Sequence, residues 1–249
     1  MLVIHNLNVK VGQGTPMERA ILQNLSLHVA SGECVMVIGG NGAGKSTLFN
    51  AISGFAPITQ GSIVLNGQDI TRRSIYERAP DVAKVLQDPR LATIESMTIE
   101  ENMSLAFKRG KIRGLSSCTS KERKALFSEK LALLDMGLEL RLHEPVSNLS
   151  GGGRQALSLI MALLQPSHIL LLDEMTAALD PKMAELVMRL AVRIVTQEKR
   201  TTLMITHNMQ HALTYGDRLV VLDQGRITHD FDDASKVSMT PGDLAGFFV

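Results

Sequence analysis

The run Gly39-Gly40-Asn41-Gly42-Ala43-Gly44-Lys45-Ser46 constrains this chain more than any other stretch. It follows the apolar segment ECVMVI and opens the helical pattern KSTLFNAISG, so strand, glycine loop and helix come in that order. A short, continuous apolar run fits a strand buried on both faces. The spacing G-x-x-x-x-G-K-[ST] is that of a loop whose backbone N–H groups converge on phosphate at the positive end of a helix. Gly39, Asn41, Gly42, Ala43, Gly44, Lys45, Ser46 and Thr47 are therefore the expected phosphate contacts. Lys45 brings a point charge to the β- and γ-phosphates, and the Ser46 hydroxyl is the kind of oxygen that ligates Mg²⁺.

Such a loop needs a second acid, and ILLLDE provides it. Four apolar residues make a buried strand, with Asp173 at its carboxyl end, where open parallel sheets bind ligands. Asp173 is placed to hold the Mg²⁺ shell, and Glu174 is a candidate general base for an attacking water.

The rest of the chain supplies the frame. MLVIHNLNVKV and AILQNLSLHV, separated by the turn region GQGTPMER, read as an antiparallel hairpin, and GSIVLNGQDI as a strand ending at an Asn-Gly turn. From about Asp88 to Gln165 the pattern is helical, opened by a Thr98-x-x-Glu101 capping box and continued by an amphipathic stretch from Ser120 to Leu134. HILLLD, TTLMIT and RLVVLD then alternate with helices such as KMAELVMRLAVRIV, the βαβ order of a parallel sheet. The expected organisation is one domain over 1–249, with 88–165 as an inserted helical subdomain and 1–87 plus 166–249 as the core and β subdomain. The basic cluster KRGKIRG (108–114) reads as a solvated helix end, and TPGDLAGFFV as a short helix capped by Thr240.

Composition removes several functions. With 26 Lys and Arg against 25 Asp and Glu, there is no global field to hold nucleic acid. The absence of Trp and the few aromatics argue against a base-stacking platform. Cys34 and Cys118 are too few for a disulfide framework, which favours a reducing compartment, and the longest apolar region, 156–172, is broken by Gln165, Pro166, Ser167 and His168. The expected chain is water-soluble.

A second glycine loop, NLSGGGRQAL, has no resident anion of its own to bind. Ser150 stands as N-cap to the apolar helix QALSLIMALL, so its hydroxyl and the Gly151 and Gly152 amides form an anion-binding helix terminus. The full order is phosphate loop, Gln87 in VLQDP, LSGGG, ILLLDE, AALD ending at Asp180, and THN around His207. It resembles the ATP-binding subunits of ABC transporters over nearly the whole chain. The resemblance implies an α/β fold: a P-loop NTPase core with an antiparallel β subdomain and an inserted helical subdomain. It implies ATP and Mg²⁺ as ligands, with Ser46, Gln87 and Asp173 as metal contacts. It places His207 on the γ-phosphate and Glu174, and Asp180 between the two sites of a dimer. Ser150, Gly151 and Gly152 would cap ATP held by a second copy, so a head-to-tail homodimer completes two sites.

Three positions depart from the family pattern. Gly153 stands where a glutamine is common, and Gln155 is a possible replacement for a contact across the interface. Met175 stands where proline is frequent. Val11 occupies the place of an adenine-stacking aromatic, so base discrimination is expected to be weak, with GTP used appreciably. Local features such as LDEMTAALDPK and ENMSLAFKRGKIRGLSS resemble the branch that accompanies permeases of branched-chain amino-acid and sugar importer type and a substrate-binding protein, with aromatic amino acids as the usual suggested cargo. That resemblance implies a peripheral location on the cytoplasmic face of the cell membrane, two permease subunits as partners, and amino acids or related solutes as cargo. The alternative is a soluble ABC ATPase acting as a clamp or assembly factor, of the iron-sulfur assembly or DNA repair type.

Overall fold

Two sheets stacked on either side of one short helix carry the structure, a computed structural model that describes residues 1–12, 14–111 and 120–248. In chain order the first half comprises β1 (Leu2–Val11), β2 (Arg19–Val29), β3 (Cys34–Ile38), α1 (Lys45–Ser53), β4 (Gln60–Leu65), β5 (Gln68–Asp69), α2 (Ile75–Arg78), β6 (Val82–Val85) and α3 (Ile99–Phe107). The second half comprises α4 (Lys121–Ala132), α5 (Gly151–Leu163), β7 (Ile169–Asp173), α6 (Pro181–Gln197), β8 (Thr202–Ile205), α7 (Met209–Thr214), β9 (Arg218–Asp223), β10 (Arg226–Asp232), α8 (Asp233–Lys236) and α9 (Pro241–Ala245).

The antiparallel sheet has the order β2-β1-β4-β5, and the larger sheet the order β10-β9-β3-β8-β7-β6. In the larger one, β9, β3, β8, β7 and β6 run parallel, and β10 adds antiparallel at the edge. The architecture matches the expected α/β core with an antiparallel β subdomain. Asn66 and Gly67, both at positive φ, close the hairpin from β4 to β5 as the Asn-Gly signal requires.

Strict alternation divides the apolar runs between two cores. Val35 and Val37 of β3, Leu171 of β7 and Val220 of β9 join β1, β2, β4 and α1 in one cluster. Met36, Ile38, Leu172 and Val221, one residue out of step, join the helices from α3 to α7 in the other. A central strand with both faces covered has no position for a polar residue, which is why β3 and β7 read as unbroken hydrophobic runs. Cys34 belongs to this interior; burial first, and the Asp217 carboxylate second, push its thiol up to about 12, so it packs rather than reacts.

The capping signals hold. Thr98 and Glu101 form a reciprocal box at α3, Ser120 caps α4, and Thr240 with Asp243 caps α9. Helices α3, α4 and α5 all lie within the span read as helical. Two local expectations are corrected. Arg19 is not part of the turn: it is the first residue of β2 and pairs with Val11. The basic cluster is not simply a solvated helix end, because Arg109 donates to the carbonyls of Ala162 at 2.9 Å and Gln165 at 3.0 Å. A cation there satisfies carbonyls left unpaired at the end of α5. Residues 112–114 of that cluster, and Cys118, lie outside the described residues.

Arg78 plays the same part for α1. It is 2% exposed and donates to the carbonyls of Ala51, Ile52 (2.9 Å), Thr71 (2.9 Å) and Arg73 (2.9 Å). Arg78→Ala leaves those carbonyls buried without donors, and urea denaturation should read a loss of about 2–4 kcal/mol.

Candidate functional site

β3 delivers the chain to the glycine loop at the carboxyl end of the sheet, and Gly44 turns it into α1 at φ 105, a backbone conformation open to glycine. The loop is held by its neighbours: Gly225 N donates to Ala43 O at 2.9 Å, and a Cβ on Gly44 would meet Leu22 Cδ2 at 2.8 Å. Lys45 folds over the loop and donates from Nζ to the carbonyls of Gly39 (2.8 Å) and Gly40 (3.1 Å). Burial lowers its pKa from the ordinary lysine value, opposed by the nearby carboxylates of Glu174 and Asp173.

A cavity of about 290 Å³ gathers this loop with residues from distant parts of the chain. Asn41 to Thr47 line it, together with Gln87, Glu174 and His207, which follow β6, β7 and β8, and with Arg19 and Ile21 of β2. Glu174 sits at φ 44, and its amide donates to Ile205 O at 3.2 Å, tying it to the strand that leads to His207. His207 Nε2 lies 2.6 Å from Glu174 Oε1. The pair is therefore assembled by adjacent parallel strands, not by sequence proximity. Both residues also line a neighbouring cavity of about 310 Å³ with Thr176, Ala177 and His211.

Asp173 lies at the buried end of β7, outside the lining of the phosphate cavity. Its Oδ2 is 3.3 Å from Lys84 Nζ, which also donates to Asn50 Oδ1 at 3.0 Å. Ser46 hydroxyl, Gln87 amide oxygen and Asp173 carboxylate are all hard oxygen donors, a set that suits Mg²⁺. No cluster of three or more His, Cys, Asp or Glu fit for a metal occurs among the described residues. Val11, 40% exposed at the end of β1, is also outside the cavity lining.

The second glycine loop stands apart. Ser150 caps α5, accepting from Gly153 N at 3.2 Å, and neither Ser150 nor Gly151 nor Gly152 lines the phosphate cavity. A helix's first amides have no intrahelical acceptor, and here Ser150 takes the Gly153 amide. Gly152 is required by contact: a Cβ there would meet Met183 Cγ of α6 at 2.1 Å. Asp180 caps that same helix by accepting from Met183 N at 3.1 Å. Gln155 cannot replace the side chain missing at Gly153. It is 1% exposed and donates to Leu86 O at 3.2 Å, so it braces the segment leading to Gln87 from inside the fold. Met175 is simply a buried core residue.

Sequence reasoning therefore missed Lys84, Gln155 in its actual role, and Arg19. Lys84 carried one weak signal, a lone charge in the short apolar strand VAKV.

The family model described as ABC transporter matches residues 22–177. The tyrosine transport ATP-binding protein of Clostridioides difficile (strain R20291) is 44% identical over 240 residues, 96% of this chain and 95% of that protein. A phosphonates import ATP-binding protein of Ruegeria sp. (strain TM1040) is 36% identical, over 92% of this chain and 88% of its own. Among solved structures, a dimeric ATP-binding cassette in a post-hydrolysis state bound to ADP and Pi matches with a TM-score of 0.80 and 26% identity, over 94% of this chain and 99% of the other.

The approach of α5 to α6 at Gly152 can be tested without ligand. Gly152→Ala should cost about 1–3 kcal/mol through overpacking against Met183. Thermal melts of Gly152→Ala with and without Met183→Ala should show the second change relieving the first.

Proposed function

The chain belongs to the ABC transporter family of ATP-binding subunits, and from that premise we propose that it powers a bacterial importer of amino acids or related small solutes. It is an ATPase, and the observation that carries the mechanism is the single cavity in which the phosphate loop meets Gln87, Glu174 and His207. The likeness to a tyrosine transport ATP-binding protein supports an amino acid as cargo. The cargo itself is selected by other subunits.

Each residue in the cavity has a task. The loop amides and Lys45 hold the β- and γ-phosphates, and charge developing on the transferred group meets donors already in place. Glu174 accepts the proton of the attacking water, and His207, whose Nε2 is 2.6 Å from that carboxylate, orients it and lies against the γ-phosphate. Ser46, Gln87 and Asp173 would hold Mg²⁺, which would neutralise charge on the phosphate oxygens. Lys84, on the edge strand β6, holds Asp173 at the end of β7.

Ser150, Gly151 and Gly152 act on the ATP of a second copy. Their separation from the chain's own cavity supports this, as does the dimeric state of the ADP-bound cassette that the chain resembles. In the head-to-tail homodimer, Asp180 runs between the two composite sites. ATP closes the pair, and loss of the shared γ-phosphate reopens it.

Force leaves through the surface between the core and residues 88–165. An apolar groove of about 860 Å³ lies there, lined by Phe55, Tyr76, Ile94, Leu105 and Met161 and by Leu86, the neighbour of Gln87 in the chain. Exposed aromatics rimming an apolar groove suit a helix of a permease subunit, one per copy. A soluble clamp leaves this groove without an occupant. Among the described residues no helix is long and apolar enough to cross a membrane, which fits a peripheral subunit on the cytoplasmic face.

Glu174→Gln should lower ATP turnover by about 10²–10⁴-fold while ATP binding is kept, because the base is lost and the shape is not. Near wild-type hydrolysis would exclude Glu174 from the role. Ser150→Arg should leave nucleotide binding to the isolated subunit unchanged and abolish ATP-dependent dimerisation on size-exclusion chromatography. Loss of monomer binding instead would assign the loop to the chain's own site.

A further inference from the structure

The phosphate cavity has two kinds of wall. Gln87, Glu174 and His207 come from the ends of parallel strands, on the side where the Lys45 ammonium feels the carboxylates of Glu174 and Asp173. Arg19 and Ile21 come from the antiparallel sheet, against the other flank of the loop, where Gly44 packs on Ile21 and Leu22. With the terminal phosphate assigned to Lys45, Glu174 and His207, the lining left for the base is Arg19 and Ile21. This step rests on the nucleotide-site reading proposed above.

A purine needs a flat partner there, and no Phe, Tyr or Trp is among the lining residues. The imidazole of His207 is engaged with Glu174. Arg19 has the remaining delocalised plane on the base side. It is exposed and begins β2 opposite Val11, and its guanidinium makes no hydrogen bond or ion pair among the described residues. The adjacent carboxylate does not hold it: Glu18 is bound by Lys10 Nζ at 2.8 Å and by Gly14 N at 3.1 Å. A guanidinium is planar, weakly hydrated and suited to the face of an aromatic ring, where an ammonium is a strongly hydrated point charge.

We propose that Arg19 is the base-recognition residue of this cavity, its guanidinium stacking on the purine ring of the bound nucleotide. Ile21, two residues further along β2, lines the same cavity and adds an apolar surface. A stacked plane reads the face of a base and not its hydrogen-bonding edge, so adenine and guanine are held alike. This gives the weak base discrimination expected from Val11 a positive physical basis.

The test measures binding of Mg·AMP-PNP, Mg·GMP-PNP and Mg·tripolyphosphate to the full chain by isothermal titration calorimetry. Arg19→Ala should weaken both nucleotide analogues by about 5–30-fold and leave tripolyphosphate unchanged. The unchanged tripolyphosphate affinity also reports that the loop is intact. Arg19→Lys, which keeps the charge but not the plane, should behave like Arg19→Ala, and Arg19→Tyr should restore both analogues. Equal loss for all three ligands would make Arg19 a phosphate contact and overturn the inference, as would rescue by lysine or an unaltered alanine variant. Failure of the wild-type chain to bind any of the three would overturn the nucleotide-site reading and this inference with it.

Discussion

Burial of the parallel sheet on both faces is the constraint on which the remaining structure depends. Val35 and Val37 look toward the antiparallel sheet and α1, while Met36 and Ile38 look toward the helices, so β3 has no solvent-facing residue. Charged groups are thereby kept out of the middle of the central strands and collected at their carboxyl ends. The phosphate loop, Gln87, Asp173, Glu174 and His207 all lie at or just beyond such ends. Parallel neighbours bring them together in register: β7 and β8 pair as far as Asp173 with Ile205, two residues before His207.

The second consequence concerns rigidity. The start of α5 is pinned by a glycine packed on Met183, and Met183 is also the residue whose amide Asp180 caps. The loop carrying Ser150 and the helix carrying Asp180 are therefore mechanically one unit. Further along α5, Gln155 donates to Leu86 O, next to Gln87 and among the residues lining the apolar groove. One helix thus touches the proposed contact with a second nucleotide, the segment beside the chain's own nucleotide, and the proposed docking groove.

What could be read from the residues was local. The phosphate loop, the caps at Thr98, Ser150 and Thr240, and the Asn-Gly hairpin each depend on a few consecutive residues whose backbone requirements are short-range. The motif order carried the candidate site because the strands that present it are strongly patterned. Gln155 was misread because its motif position suggested an outward amide, whereas the helix face it occupies is set by packing against the core. Arg109 was misread for a related reason: a basic run looks solvated until a neighbouring helix end, more than fifty residues away, offers it carbonyls.

The amino-acid sequence by itself determined the family, the two glycine loops and the residue types that can handle phosphate, because each is fixed by short-range geometry and by the period of hydrophobic burial. Only the tertiary structure decided which side chains face those loops. Lys84 meets Asp173 across two paired strands, Gln155 meets Leu86 across a helix-sheet contact, and Arg19 reaches the phosphate cavity from the other sheet. Such pairings depend on strand register and on the packing of distant elements, and no pattern along the chain encodes them one pair at a time.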